Sequence, residues 1–182
     1  SLLRTDEPSY EIQRTLNPVV GETGEIDVAV AHEATQNKNF TYQVFDTNCL
    51  VELDEEPPHN INQEALKITL QIAHLLNCKI FPVAQIMRKT VVDGSNTTGF
   101  QRTALIAHDG YIEISSGKIA IDAVMLEEDS ARPVSENENS KTYKLDRLGF
   151  AMVEIATGPH MHTPETIKEA ALKIGEILRA CK

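Results

Sequence analysis

Two apolar runs that carry carboxylates constrain this chain most. They are KIAIDAVMLEEDS at 118–130 and LDRLGFAMVEIATGP at 145–159. Both have the residue types of strands. In the first, Ile119, Ile121, Ala123 and Met125 alternate with Ala120, Asp122, Val124 and Leu126. The odd set is the more uniformly apolar and is expected on the core. The even set then faces elsewhere, and Glu128 continues it beside Asp122. In the second run, 150–155 is apolar except for Glu154. A carboxylate in such a strand is costly to bury unless something pairs with it. A cation is one partner: Glu128 and Glu154 on neighbouring strands would make an oxygen-rich site for Mg²⁺. An arginine is another, with Glu154 paired to Arg147 or Arg102 and with Glu127, Glu128 and Asp129 as a solvated strand end. The pattern leaves both readings open.

A length of 182 residues suffices for one domain with a real core, and 41% hydrophobic with 24% charged residues is ordinary globular composition. A net charge of −10 argues against these residues alone gripping a nucleic acid, though not against RNA as a substrate held elsewhere. No run approaches the length of a membrane span, and the first residues lack the apolar core of a signal sequence. Cys49, Cys78 and Cys181 show no CxxC spacing, which suits a reduced, cytoplasmic chain.

Taken in order, residues 11–24 read as a connection punctuated by Pro18, Gly21 and Gly24. A helix is expected over 24–36, with Ile26, Val30 and Ala34 on one face. Two short strands, 42–45 and 49–53, are expected to bracket a turn. The acidic, proline-containing LDEEPPHN at 53–60 reads as a solvated loop or a contact segment. Asn62 caps a helix that reaches about Asn77, with Leu66, Leu70, Ala73 and Leu76 as its stripe. Strands over 80–92 and 100–107 form a hairpin with the small-residue tip DGSNTTG, a weak phosphate-loop signal. Turns at 108–110 and 115–117 suggest a continuing antiparallel meander. Residues 130–142 read as a mobile polar loop. His160 and His162 are two apart, without a third metal ligand nearby in sequence. The last helix has Thr163 as N-cap and Pro164 at its first position, with Ile167, Ala171, Ile174, Leu178 and Cys181 as a core stripe. The sum is an α+β fold: an antiparallel sheet of about six to eight strands, with about three helices mainly on one face.

Four segments taken together, CLVELDEEPPH, MRKTVVDGSNTTGFQRTA, LEEDSARP and KLDRLGFAMVEIATGP, resemble the tRNA-dependent amidotransferases of the GatB/GatE family. Val91, Val92 and DGSNTTGFQRT stand where the GatB branch has a Tyr- and Pro-rich segment, so the archaeal branch, the GatE-type glutamyl-tRNA(Gln) amidotransferases, matches better. The resemblance implies a cradle of the glutamine synthetase/guanidino kinase type. It implies a ligase that uses ATP and Mg²⁺ to phosphorylate the side-chain carboxylate of glutamate on tRNA(Gln). Ammonia, from an asparaginase-like companion protein, GatD, then displaces the phosphate to give Gln-tRNA(Gln). Glu128 and Glu154 match the family's catalytic metal ligands, and this favours the cation reading of both. Arg88, Arg102 and Arg147 are expected as clamps on phosphate or carboxylate. The family's N-terminal strand motif, which supplies a histidine and a glutamate to the metal, is missing, and His32, His59 and His74 do not lie in it. The expectation is one catalytic-domain fragment over 1–182, without that strand and without the C-terminal tRNA-binding regions, and inactive alone. The competing class is a non-enzymatic scaffold that uses LDEEPPH and the SENENS loop as contact surface.

Overall fold

The structure, a computed structural model, describes residues 5–16, 18–20, 24–36, 38–147 and 149–181. The turn expected at Gly21 lies outside the described residues. In chain order the elements are β1 (Tyr10–Thr15), α1 (Val28–Ala34), β2 (Asn39–Val44), α2 (Gln63–Leu75), β3 (Lys79–Thr90), β4 (Phe100–Ile114), β5 (Gly117–Glu128), β6 (Arg132–Glu136), β7 (Ser140–Lys144), β8 (Ala151–Thr157) and α3 (Pro164–Ala180). The class is α+β. The strands form two four-stranded sheets, β1-β2-β7-β6 and β3-β4-β5-β8, instead of the single sheet expected. The chain divides into two compact units. One comprises the residues up to Asn60, Met87–Arg102 and Glu128–Phe150. The other comprises Ile61–Ile86, Thr103–Glu127 and the residues from Ala151 on.

The first unit is built on segments that read as connections. β1 falls in the stretch taken as a linker and pairs antiparallel with β2, Tyr10 against Val44 through Thr15 against Asn39. The stretch taken as a mobile loop holds β6 and β7, joined antiparallel, and β7 runs parallel to β2. β1 and β7 are polar in composition and take their pairing from β2, which is remote from both in sequence; the short β6 then pairs with its neighbour β7. The core of this unit is Phe40, Tyr42, Val44, Ala131, Tyr143 and Leu145. Residues 49–53 form turns rather than a strand. There the buried Glu52 carboxylate accepts from Asn48 Nδ2 (3.0 Å) and Cys49 N (2.7 Å), which closes the turn locally. The first helix is shorter than expected; Asp27 caps it, and Val30 is its buried residue.

The second unit packs α2 and α3 with the greater part of the second sheet. α2 starts where Asn62 Oδ1 accepts from the amides of Glu64 and Ala65, both at 3.0 Å. It ends where Asn77 takes a left-handed φ of 56°. Ile72, Ala73 and Leu76 are fully buried; a leucine so placed contributes about 1.5–3 kcal/mol. β4 continues through His108–Gly110, where a turn was expected, and Asp109 meets the bend with a φ of 49°. The buried face of β5 also departs from expectation. Ile119 and Ile121 are core, but further on the buried pair is Val124 and Leu126, and Ala123 and Met125 are only half-buried. Beside this change of phase β4 bulges, so that Leu105 opposes Met125 and Ala107 opposes Val124. On α3 the stripe is turned by one residue: Ala170, Ile174, Ile177 and Cys181 pack on the core, while Ile167 and Leu178 are exposed. No helix among the described residues is long and apolar enough to cross a membrane.

Candidate active site

The register of β4 and β5 sets Thr103 against Glu127, and the next pair outward is Arg102 and Glu128. Side chains alternate across a strand, so the two pairs point to opposite faces. Thr103 and Glu127 are buried; Arg102 and Glu128 meet in the first unit beside a small cavity. Arg102 grips Glu128 with a fork. Its Nε donates to Oε2 at 2.8 Å and its Nη2 donates to Oε1. Its remaining nitrogen, Nη1, donates to the carbonyl of His59. Only 15% of the Arg102 side chain and 23% of the Glu128 side chain are exposed, so this is a well-shielded, bidentate, charge-assisted contact. The cavity beside it, about 30 Å³, is lined by Asn96, Thr98, Phe100, Asp129, Ser130 and others.

A second pair follows directly. Arg147 Nε donates to Asp129 Oδ2, and the Arg147 guanidinium lies 5.1 Å from the centre of the Phe150 ring. The Asp129 amide donates to the Phe150 carbonyl at 2.9 Å. Beyond it, Arg132 Nη2 donates to Asp146 Oδ2 at 2.8 Å. These pairs tie the chain after β5 to the segment before β8. Arg88 stands over the Phe100 ring at 5.0 Å, on the wall of a larger cavity of about 450 Å³ with Asp54, Glu55, Glu56, Pro58 and Thr98. Glu154 lies in the second unit, half-buried on β8. Val153 and Ile155 pack on the core, so the alternation turns Glu154 to the opposite face of the strand. Glu128 and Asp129 are thus held by arginines, Arg102 and Arg147, instead of forming the solvated strand end that the arginine reading expected.

The loop 93–99 was legible as a small-residue tip, but what anchors it was not. Tyr143 Oη donates to the Asp93 carbonyl and Tyr42 Oη to the Gly94 carbonyl, each at 2.6 Å. Thr97 Oγ1 donates to the Glu52 carbonyl at 2.6 Å. Gly94 has a φ of 80° and lies against Phe40; a Cβ there would stand 2.3 Å from the ring. The loop is thus anchored at both of its sides, and it presents Asn96 and Thr98 to the Glu128 cavity. Tyr42 and Tyr143 are stacked at 5.9 Å, and burial pushes both phenols up from their ordinary range, so they remain donors. Their only sequence signal is the alternation in FTYQVF and SKTYK, which marks core positions and not a role at the loop.

Hard oxygen donors suit Mg²⁺, which is commonly held by one or two carboxylates and keeps several waters. Glu128 and its neighbours Asp129 and Ser130 match that donor chemistry. Among the described residues no three His, Cys, Asp or Glu side chains gather as a complete protein cage.

Residues 22–182 match the family model described as the GatB/GatE catalytic domain. The chain belongs to that family. It is 54% identical over 181 residues to the E subunit of the glutamyl-tRNA(Gln) amidotransferase of Methanocaldococcus jannaschii, covering 99% of this chain and 29% of that protein. It is 48% identical over 175 residues to the E subunit of the Saccharolobus solfataricus enzyme, covering 96% of this chain and 27% of the relative. The corresponding protein of Natronomonas pharaonis is 47% identical over 175 residues, with 96% and 28% covered. The chain thus spans under a third of the length of these curated relatives. Glu128, Arg102, Arg147, Glu154 and the 93–99 loop all fall within the part that matches the GatB/GatE catalytic domain.

Proposed function

We propose that this chain is part of the transamidation subunit that converts Glu-tRNA(Gln) to Gln-tRNA(Gln) in the cytoplasm, at the expense of ATP. An oxygen of the glutamyl side-chain carboxylate attacks the γ-phosphorus of ATP, and ADP leaves. Ammonia then attacks the carbonyl carbon of the γ-glutamyl phosphate, and inorganic phosphate leaves. An asparaginase-like companion, GatD, is the proposed ammonia source. The fold is proposed to be a cradle of the glutamine synthetase/guanidino kinase type.

The observation that carries this reading is the Glu128 carboxylate, held by a forked arginine beside a small cavity at the end of β5. It lies within the stretch matched by the catalytic domain of the family. Glu128 and Glu154 are the proposed holders of Mg²⁺, which when bound neutralises phosphate charge. Arg102 and Arg147 offer planar donors for phosphate or carboxylate oxygens. Arg88 presents a further guanidinium to a cavity whose volume is that of a ligand pocket. The anchored 93–99 loop presents the Asn96 side chain at the Glu128 cavity on a backbone already held in place.

The test is Glu128→Gln in the intact amidotransferase, read as Gln-tRNA(Gln) formed per unit time. A loss of about a hundredfold or more, with subunit assembly kept, is expected for a group acting on the reacting phosphate. Activity within about twofold of the parent, a change worth only about 0.4 kcal/mol, would leave the scaffold reading in its place.

A further inference from the structure

We propose that Arg102 holds the place at Glu128 that a divalent cation takes, so that the ion pair is a resting state which cation binding must break. This rests on Glu128 being a cation ligand. The geometry makes the two partners competitors. Arg102 uses Nε and Nη2 on the two different oxygens of Glu128, so neither oxygen is left without a guanidinium hydrogen facing it. A cation at the same carboxylate meets that positive charge at hydrogen-bond distance. Arg102 therefore opposes a cation at Glu128 by charge and by the space it fills.

The size of the cavity supports the same conclusion. About 30 Å³ accommodates one or two water-sized groups, whereas Mg²⁺ commonly retains several waters. Arg102 is one of the walls, and its withdrawal would enlarge the space at the Glu128 oxygens. The chain also supplies a second attachment for the released side chain. Nη1 already donates to the carbonyl of His59, at the end of the acidic 54–60 segment. Arg102 can therefore give up the carboxylate while still tethered, with Nε and Nη2 turned free for an incoming anion. The adjacent carboxylate, Asp129, is likewise covered by Arg147. At rest the strand end is charge-compensated, which protects a partly buried acidic pair from its own repulsion.

The experiment is a Mn²⁺ titration of the purified full chain without nucleotide, counting free Mn²⁺ by electron paramagnetic resonance. Arg102→Met removes the competitor, and Mn²⁺ binding is expected to tighten by about tenfold, the worth of one charge-assisted hydrogen bond. Arg102→Lys keeps the charge but not the fork, so it is expected to tighten binding by an intermediate factor. It also carries the test if Arg102→Met does not fold. The double variant with Glu128→Gln is expected to lose the gain. Binding in Arg102→Lys equal to that of the parent would mean that Arg102→Met acts through net charge alone, and would overturn the proposal. So would unchanged or weaker binding in both Arg102 variants while Glu128→Gln abolishes it. If Glu128→Gln changes nothing in any background, the cation reading beneath the proposal fails instead.

Discussion

Tyr42→Phe removes one oxygen atom from the centre of the first unit and so isolates what the tyrosine does for the 93–99 loop. Tyr42 is 3% exposed, and its hydroxyl donates to the Gly94 carbonyl at 2.6 Å. The variant leaves the ring packing, including the stack on Tyr143, in place. What it loses is one hydrogen bond, and it leaves a shielded carbonyl without that donor. The expected cost is about 1–2 kcal/mol in the stability of the first unit. The assay is urea denaturation followed by a probe in that unit, with the midpoint shifted and the slope unchanged. Hydrogen exchange supplies the local readout: the amides of Gly99 and Val91, which bond within and across the loop, should exchange faster. The pH dependence gives a further check. Burial raises the phenol above the 10.0 of a free tyrosine, so the folded state keeps the proton that the unfolded state gives up. That contribution is fully present below pH 10 and is lost as the pH rises toward the folded value. Above pH 10 the parent should therefore lose up to about 1.4 kcal/mol per pH unit that Tyr42→Phe does not lose. A stability change below about 0.3 kcal/mol, well under the usual worth of a buried hydrogen bond, with unaltered exchange at Gly99, would refute the anchoring role.

Other substitutions test other joints of the fold. Gly94→Ala forces a Cβ toward the Phe40 ring at a φ of 80°, and a loss of about 2 kcal/mol or more is expected in thermal unfolding. Asn62→Ala removes the oxygen that accepts two amides at the start of α2, and should cost about 1 kcal/mol by denaturant titration. Glu169 accepts from both the amide and the hydroxyl of Ser115, which hold its carboxyl below the usual range. The attachment of the β4–β5 turn to α3 is therefore present above the unfolded carboxylate value and is lost as the pH falls through the lower, folded one. In the parent the Ser115 amide should lose exchange protection on acidification, whereas in Glu169→Gln protection should be low throughout and nearly flat with pH.

The caps of α2 and α3 were legible without a structure. Asn62, Asn77 and Thr163 act within one turn of themselves, and their chemistry requires no distant partner. The apolar runs of β5 and β8 declare themselves because both are rich in β-branched and aliphatic residues. Glu128 stood out for the same reason, as a carboxylate at the end of an apolar run. β1, β6 and β7 did not, because YEIQRT, RPVSE and SKTYK have the composition of loops. β1 and β7 are strands because β2 offers an edge on each side and because Tyr143 comes to stack on Tyr42, and β6 then pairs along the outer edge of β7.

The sequence by itself therefore determined the local choices: which residues cap, which runs extend, which carboxylate needs a partner, and to which family the segments belong. Tertiary structure decided who the partners are. Arg102 rather than Arg147 meets Glu128 because the antiparallel register of β4 and β5 carries it there, and Arg147 is drawn to Asp129 beside the Phe150 ring. The core face of α3 was likewise decided by packing, with Ala170, Ile174, Ile177 and Cys181 on the core and Ile167 exposed. Charge pairing and close packing depend on distances between residues far apart in the chain, and composition and periodicity do not encode those distances.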